Sequence, residues 1–544
     1  MKRTVMKGTR HQHALAAACL AMLVFTTAVQ ATDYTWTSTS SNDWTLAGNW
    51  SAAGVAQTGG SYAHRLNVTG TATLNYTATQ GNTTYTGGRG LVLYNGSSVA
   101  IQGGSFTGLG DIISATQTVG ATATLTVAGG TYNSNRLDIG WYSSTGTFTI
   151  SSGQAAITAL HINTADPAAA HQNTGHGTLN LNGGTLSVNN IVAIHNTGSS
   201  TVNLNGGTLR AQQNTTAFIS SGATGLRNLL VGNGGAKIDT NGFDITIAKA
   251  MTANGTGGLT KSGGGVLTLS AANTYTGGTI INQGTLTVGT GGTLGATTGA
   301  LAVNNTNTDA AGTDAVLNLA TAVNTTVGSL SGTIATPTSG TNTATINTET
   351  GRTFTINQTA DATYAGVIAG AGSVTLGSSS THTLTLSGTN TYTGDTLVSA
   401  GTLFVSGSLG NSSVTVGANG TVGGSGTLGG LLHLDSGAGL VFNAGQTLTV
   451  NGATVSFGNF GVADLFGLDN TVAYNTYTLI DGTATIDWTN IRNVGIEDAY
   501  DLGGGVHAYF QEGSLQLVVA AIPEPAAALL GSLGMLVLLR RRRA

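Results

Sequence analysis

Cysteine is almost missing from this chain: the one thiol in 544 residues is Cys19. One thiol excludes an internal disulfide and any multi-cysteine metal cage. Proline is nearly missing too, with 4 residues, so the chain is not a proline-rich linker. Charged residues are only 7 % of the chain, while apolar residues are 40 %. A disordered chain shows the opposite balance, so a packed core is attainable. Basic residues are scarce in the body: between Asp33 and Ile522 there are 21 acidic and 10 basic side chains, a net of −11. Nucleic-acid partners require basic stripes, so no nucleic acid is expected. The chain also has no Gly-x-Ser-x-Gly elbow, no His-Glu-x-x-His and no P-loop, and with Gly-rich turns everywhere an isolated glycine match to a dinucleotide fingerprint means little. We therefore assign no catalytic residue, no metal ligand and no cofactor, and expect a protein that is not an enzyme.

What is abundant is glycine, 84 residues, set among alternating Thr, Val, Leu and Ile. This composition predicts many short strands joined by tight turns. At the N-terminus Lys2, Arg3, Lys7 and Arg10 precede an apolar run from Ala14 to Val29. The pattern predicts a signal peptide over 1–31, cut after Ala31; the alternative is a transmembrane anchor. Cys19 falls inside this segment and has no leucine three residues before it, so it reads as filler rather than a lipidation site. Trp36, Trp44 and Trp50 then cluster within fifteen residues. They suit an N-terminal cap over 32–60, or, with Trp141, stacking platforms for sugars.

From about residue 90 the chain repeats. Val99-Ala100-Ile101-Gln102-Gly103-Gly104 is echoed at Leu125, Phe148, Leu179 and Val202, at intervals of 26, 23, 31 and 23 residues. Periods in this range mark a solenoid. Each unit alternates polar and apolar residues and cannot bury its apolar face alone; stacked units can. The expected fold is all-β: a long parallel β-helix, right-handed as parallel crossovers are, with small caps. Asn and Thr at equivalent places should stack as ladders. About fifteen coils at about 4.8 Å each would make a rod on the order of 70 Å. The interval of 31 residues implies an insertion over 163–177, which holds Asp166, His171 and His176, with His161 and His195 nearby. Their spacing matches no compact ligand motif, and a structural role is the simpler reading. Coils over 61–256 and 257–446 lead to a looser, aromatic and acidic segment over 447–521, including Asp481, Asp487, Trp488 and Glu512, which reads as a β cap closing the last coil.

A second kind of repeat begins near Gly257. Leu267-Thr268-Leu269, Asn273-Thr274-Tyr275-Thr276-Gly277 and Gly284-Thr285-Leu286 recur 117 residues later as Leu384-Thr385-Leu386, Asn390-Thr391-Tyr392-Thr393-Gly394 and Gly401-Thr402-Leu403. This order resembles the autotransporter-associated β-strand repeat, which implies a β-helical passenger of an exported protein. Asp395 replaces Gly278 in the second copy. No C-terminal series of alternating strands suits a translocating barrel, so another export system is expected.

The last stretch, 522–544, runs Pro523-Glu524-Pro525, then fourteen uncharged residues from Ala526 to Leu539, then Arg540, Arg541, Arg542 and Arg543. Fourteen helical residues span only about 21 Å against about 30 Å of hydrocarbon, so the expected single transmembrane helix is a weak anchor. The arginines would hold the C-terminus in the cytoplasm as a stop. The three-part order resembles the PEP-CTERM sorting signal. That resemblance implies recognition by an exosortase-type membrane protease, with processing near Pro523, Glu524 and Pro525. It also implies a bacterium with an outer membrane and often an extracellular polysaccharide matrix. The expectation is an inner-membrane-anchored precursor, exported through the general secretion machinery. It would become a structural or adhesive protein of the cell surface or matrix. Exopolysaccharide would be a possible partner; a carbohydrate-binding surface protein is the alternative, and a polysaccharide lyase or hydrolase ranks after it.

Overall fold

The computed structural model describes the backbone of the short strands Asp33–Trp36, Ser61–Tyr62, Arg65–Val68, Thr73–Tyr76 and Asn82–Tyr85. It then describes residues 91–93, 95–102, 105–108, 111–113, 120–141, 143–164, 175–193, 198–220, 226–306, 314–319, 324–337 and 340–521. Among these residues the regular structure is β, apart from two 3-10 turns, Val462–Asp464 and Ile496–Asp498.

Strands pair in parallel with the third strand along. His176–Leu181 pairs with Ser199–Leu204, Thr185–Val188 with Thr208–Ala211, and Ile191–Ala193 with Thr215–Ile219. Each coil here thus contributes three strands, and the parallel stacking is that expected of a β-solenoid. The register matches the sequence intervals: Phe148 pairs with Leu179 and Leu179 with Val202. The extra residues of the long interval fall largely outside the described residues. Asp33–Trp36 already pairs in parallel with Arg65–Val68, inside the stretch assigned to an N-terminal cap.

Alternation in the sequence becomes alternation of burial. In Thr178-Leu179-Asn180-Leu181 the leucines are buried and the polar residues half-buried. Because pairing is in register, inward residues stack in columns. One runs Ile245, Leu267, Leu286, Leu317, Ile346 and Ile368, all buried. Each such side chain contributes about 1.5–3 kcal/mol by leaving water. A neighbouring column runs Leu186, Leu209, Ile238, Lys261, Ile281 and Val303, so one lysine sits in a file of aliphatic residues. The outward amides form the expected ladders: Asn203 Nδ2 donates to Asn180 Oδ1 at 2.6 Å, and Asn347 Nδ2 to Asn318 Oδ1 at 2.6 Å.

The ladder changes character at the end. Asn475–Asp481 pairs in parallel with Leu448–Val450 on one edge and antiparallel with Leu515–Ala521 on the other. Val506–Gln511 and Tyr500–Gly503 continue the antiparallel sheet. Turning the chain back on itself covers an edge that would otherwise invite another strand. Among the described residues no helix is long and apolar enough to cross a membrane. The expected transmembrane segment lies outside the described residues.

Candidate functional site

The repeat motif is the first candidate: its Asn and Tyr face inward, while its two Thr are exposed. Asn273 is buried at a coil corner. Its Oδ1 accepts the backbone N–H of Met251 at 2.9 Å, and its Nδ2 donates to Ala271 O at 3.1 Å and Thr293 O at 2.7 Å. One side chain therefore ties together three successive coils. Asn390 does the same with Ile368 N, Gly388 O and Ser408 O, at 2.9, 3.1 and 3.0 Å. Two residues later, Tyr275 is fully buried, with its hydroxyl 2.7 Å from Thr279 Oγ1; Tyr392 and Thr396 repeat this at 2.6 Å. Burial raises both phenols; Tyr392 reaches about 12, and its hydroxyl partners Thr396 and Ser412 limit the rise. The glycine of Gly-Thr-Leu is a backbone requirement: Gly284 and Gly401 both hold φ of 72°. That left-handed conformation disfavours any side chain.

Lys261 is the unusual member. It is buried in its aliphatic column, and its ammonium donates to Thr240 Oγ1, Ser262 O, Gly263 O and Gln283 O at 2.9, 3.0, 2.7 and 3.0 Å. Desolvation lowers its pKa to about 7, against an opposing pull from Asp239 and Asp244. Every donor is taken up by the protein's own carbonyls and hydroxyl, so this lysine closes a corner. It is not presented to a substrate.

A second polar set lies near the N-terminal coils. Asp111 is buried, accepts Leu91 N–H at 2.7 Å and receives the hydroxyl of Tyr132. Burial first, and Asp111 second, push the Tyr132 phenol well above its ordinary range. The Tyr132 ring stands between Phe106 and Phe148, both centroids at 5.8 Å. Asp138 accepts Arg136 Nε at 2.9 Å and contacts His161 Nδ1 at 3.0 Å. His176 instead meets Ser199 Oγ at 2.7 Å. No group of three potential metal ligands occurs among the described residues.

Two surface clefts stand out among the described residues. One, of about 420 Å³, follows a floor of Gly235, Gly258 and Gly278 across the first repeat. The other, of about 400 Å³, lies in the C-terminal sheet between Asp481 to Trp488 on one side and Glu512 to Ser514 on the other. Of the cap carboxylates, Asp487 is held by Thr489 N and Oγ1 at 3.0 and 2.6 Å, which lower its pKa. Asp498 accepts Asn493 N–H at 2.7 Å and Asp501 accepts Gly503 N–H at 2.8 Å. Asp481 and Glu512 are exposed in the second cleft with no such partner among the described residues.

The expected sorting residues Pro523, Glu524, Pro525 and Arg540 to Arg543 lie outside the described residues, as do Ala31, Trp44, Trp50, Asp166, His171 and His195. Of Trp36 only the backbone is described. Trp141 ends the strand Thr122–Trp141, half-buried, with its carbonyl accepting Ser144 Oγ at 2.5 Å. It does not line either cleft. Trp488, which does line the second, carries no sequence signal of its own. It becomes visible only once Asn475–Asp481 is known to pair with Leu515–Ala521.

Comparison with known proteins places the repeats. The passenger-associated-transport-repeat family matches residues 259–288 and 381–404, the two copies whose corners are described above. The chain is also similar to the adhesin BmaC autotransporter of Brucella suis biovar 1 (strain 1330), with 38 % identity over 91 residues. That stretch is 17 % of this chain and 2 % of the adhesin, so the chain spans a small part of that relative. The all-β body thus carries autotransporter-associated repeats and is similar in part to an autotransporter adhesin.

Proposed function

We propose that this chain is an exported, rigid, adhesive rod of the cell surface or extracellular matrix, without enzymatic activity. The observation that supports it best is the inward use of the repeat motif. Asn273, its second-copy counterpart Asn390 and, in the first copy, Lys261 spend their polar groups on holding coils together, and the buried hydroxyls of Tyr275 and Tyr392 are satisfied four residues on. Such a motif maintains length and stiffness. Similarity to an adhesin and to passenger-associated repeats agrees with a surface role. In this reading the precursor is held at the inner membrane by residues 526–543 and handed to an exosortase-type protease at Pro523-Glu524-Pro525. Mass spectrometry of the C-terminal peptide from native cells tests the sorting step. A mature end before Ala526 is expected, and retention of Arg540 to Arg543 would overturn that step. Attachment of cells lacking the protein tests the adhesive step, with a clear loss expected.

A carbohydrate-binding role is the second reading. It draws on a half-buried Trp488 lining an open cleft, a feature the rod by itself does not need.

A further inference from the structure

The second cleft exists because the sheet changes direction. Ile480 pairs with Leu448 in the parallel ladder and with Leu515 in the antiparallel one. Beyond Ile480 the two strands part. One enters a turn at Gly482, with φ of 111°, and the other leaves a turn at Gly513, with φ of 118°. The gap between these turns is the cleft of about 400 Å³. That is within the range of about 300–1,000 Å³ typical of small-molecule sites.

Its lining has a definite chemistry. Trp488 forms part of one wall and is only half-buried, so its indole supplies a flat apolar surface. Asp481 and Glu512 come from the two segments that part at the cleft, both exposed and without hydrogen-bond or ion-pair partners among the described residues. No Lys or Arg lines the cleft; Arg492 of the same cap is engaged with Asp464 at 3.5 Å. An acidic ligand would be repelled, and a neutral sugar would draw no attraction from the two carboxylate charges. A bare ammonium would use the charges but leave most of the volume empty. A sugar ring bearing an amine meets both demands. Its apolar face stacks on indole, and its ammonium is drawn to both carboxylates and to the indole face.

We propose that this cleft is a binding subsite for an amino-sugar unit, unacetylated, of an extracellular glycan. The proposal rests on the adhesive reading for its biological setting, but the binding itself can be measured alone. The full exported chain would be titrated calorimetrically with a deacetylated glucosamine oligomer, its N-acetylated counterpart and a glucose oligomer of equal length. The deacetylated oligomer should bind at least tenfold more tightly than either of the others. Trp488→Ala should weaken it tenfold or more. Because Trp488 packs partly on the core, the double variant Asp481→Asn/Glu512→Gln, at exposed positions, provides the second arm, with a similar loss. A control with equal charge removed elsewhere, Glu349→Gln/Asp395→Asn, should stay within twofold. Equal losses in the cleft and control variants would reduce the effect to bulk attraction of a polycation and overturn the subsite. So would equally tight binding of an oligolysine of the same charge. If cells lacking the protein attach normally while the oligomer still binds at Trp488, the adhesive reading fails and the subsite stands. If attachment needs the protein but no oligomer binds, the subsite fails and the adhesive reading stands.

Discussion

The coil at Leu259 and the coil at Val374 do the same job with different corners. Both begin a repeat, and both hand the chain to an Asn-Thr-Tyr-Thr-Gly segment and then to a left-handed glycine. Pairing fixes the correspondence: Lys261 pairs with Ile281, and Leu376 with Val398, the residue 117 positions after Ile281. In the first copy the corner after this position is closed by Lys261 and the buried Thr240, whose hydroxyl donates to Ser262 O at 3.1 Å. In the second copy the position is an ordinary buried leucine. The corner is instead closed by Ser380, which donates to Ile356 O at 3.1 Å and accepts Gln358 N–H at 2.9 Å. The shared residues are those the backbone geometry demands, and the variable one only has to satisfy corner carbonyls. Even the Gly278 to Asp395 difference follows this rule. Leu259 N donates to Gly278 O at 3.0 Å, and Val374 N donates to Asp395 O at 3.0 Å.

The most severe way to break the comparison is to transplant the lysine. Leu376→Lys places an ammonium in a column of Ile356, Val398 and Val416 with a corner already closed by Ser380. An uncompensated buried charge costs about 3–5 kcal/mol. Urea unfolding of the exported body should show a loss of about 4 kcal/mol, and a loss below 1 kcal/mol would mean that the second corner can accept a lysine. The glycines come next. Alanine at either Gly284 or Gly401 must adopt a left-handed backbone, at about 1–2 kcal/mol. At Gly284 the added Cβ would also lie 2.3 Å from Gly263 O, whereas at Gly401 its nearest neighbour is His382 O at 2.9 Å. Gly284→Ala should therefore cost about 3 kcal/mol and Gly401→Ala about 2 kcal/mol in the same assay. A reversed order would break the geometric argument.

Asn273→Ala and Asn390→Ala sharpen the equivalence instead. Each removes three hydrogen bonds and leaves one buried backbone N–H, of Met251 or Ile368, without its acceptor. Leaving such a group unpaired costs about 1–3 kcal/mol, so both should lose about 2 kcal/mol. Because solenoid coils open locally, hydrogen exchange at those two amides is the direct readout. Protection should fall at Met251 in one variant and at Ile368 in the other, by similar factors.

The periodic part of this fold was legible because its physics is local. Alternation across four residues, as in Leu179 and Leu181, and a recurrence of 23 residues imply parallel stacking. The Asn ladders follow from the same register. The roles of Asn273 and Lys261 were not legible. A buried amide that serves three coils looks, in sequence, like any polar turn residue, and a lysine in an inward column contradicts the alternation it occupies. The cleft at Trp488 was hidden for another reason. It depends on an antiparallel pairing between segments about forty residues apart, which no repeat encodes, so the carboxylates Asp481 and Glu512 read merely as parts of an acidic cap.

The smallest effect separates the two corners by pH. Burial lowers Lys261 in the folded chain to about 7, while an unfolded lysine titrates near about 10.4. Below pH 7 both states hold the proton, and the folded chain bears the full cost of a buried charge. Between about 7 and 10 the unfolded state binds more protons than the folded one, so stability rises with pH over this window. The slope from one such group is bounded at about 1.4 kcal/mol per pH unit; the pull of Asp239 and Asp244, already contained in the value of about 7, narrows the window from below. Other groups titrate as well, so the informative quantity is the difference between the parent chain and Lys261→Met, which has no proton to lose at that corner. The parent should gain up to about 1 kcal/mol per unit relative to the variant from pH 7 to 9. Unfolding midpoints that run parallel for the two proteins across that window would mean that the four acceptors around Nζ hold the ammonium charged throughout. In that case the first corner would be a permanent cation site rather than a titrating one.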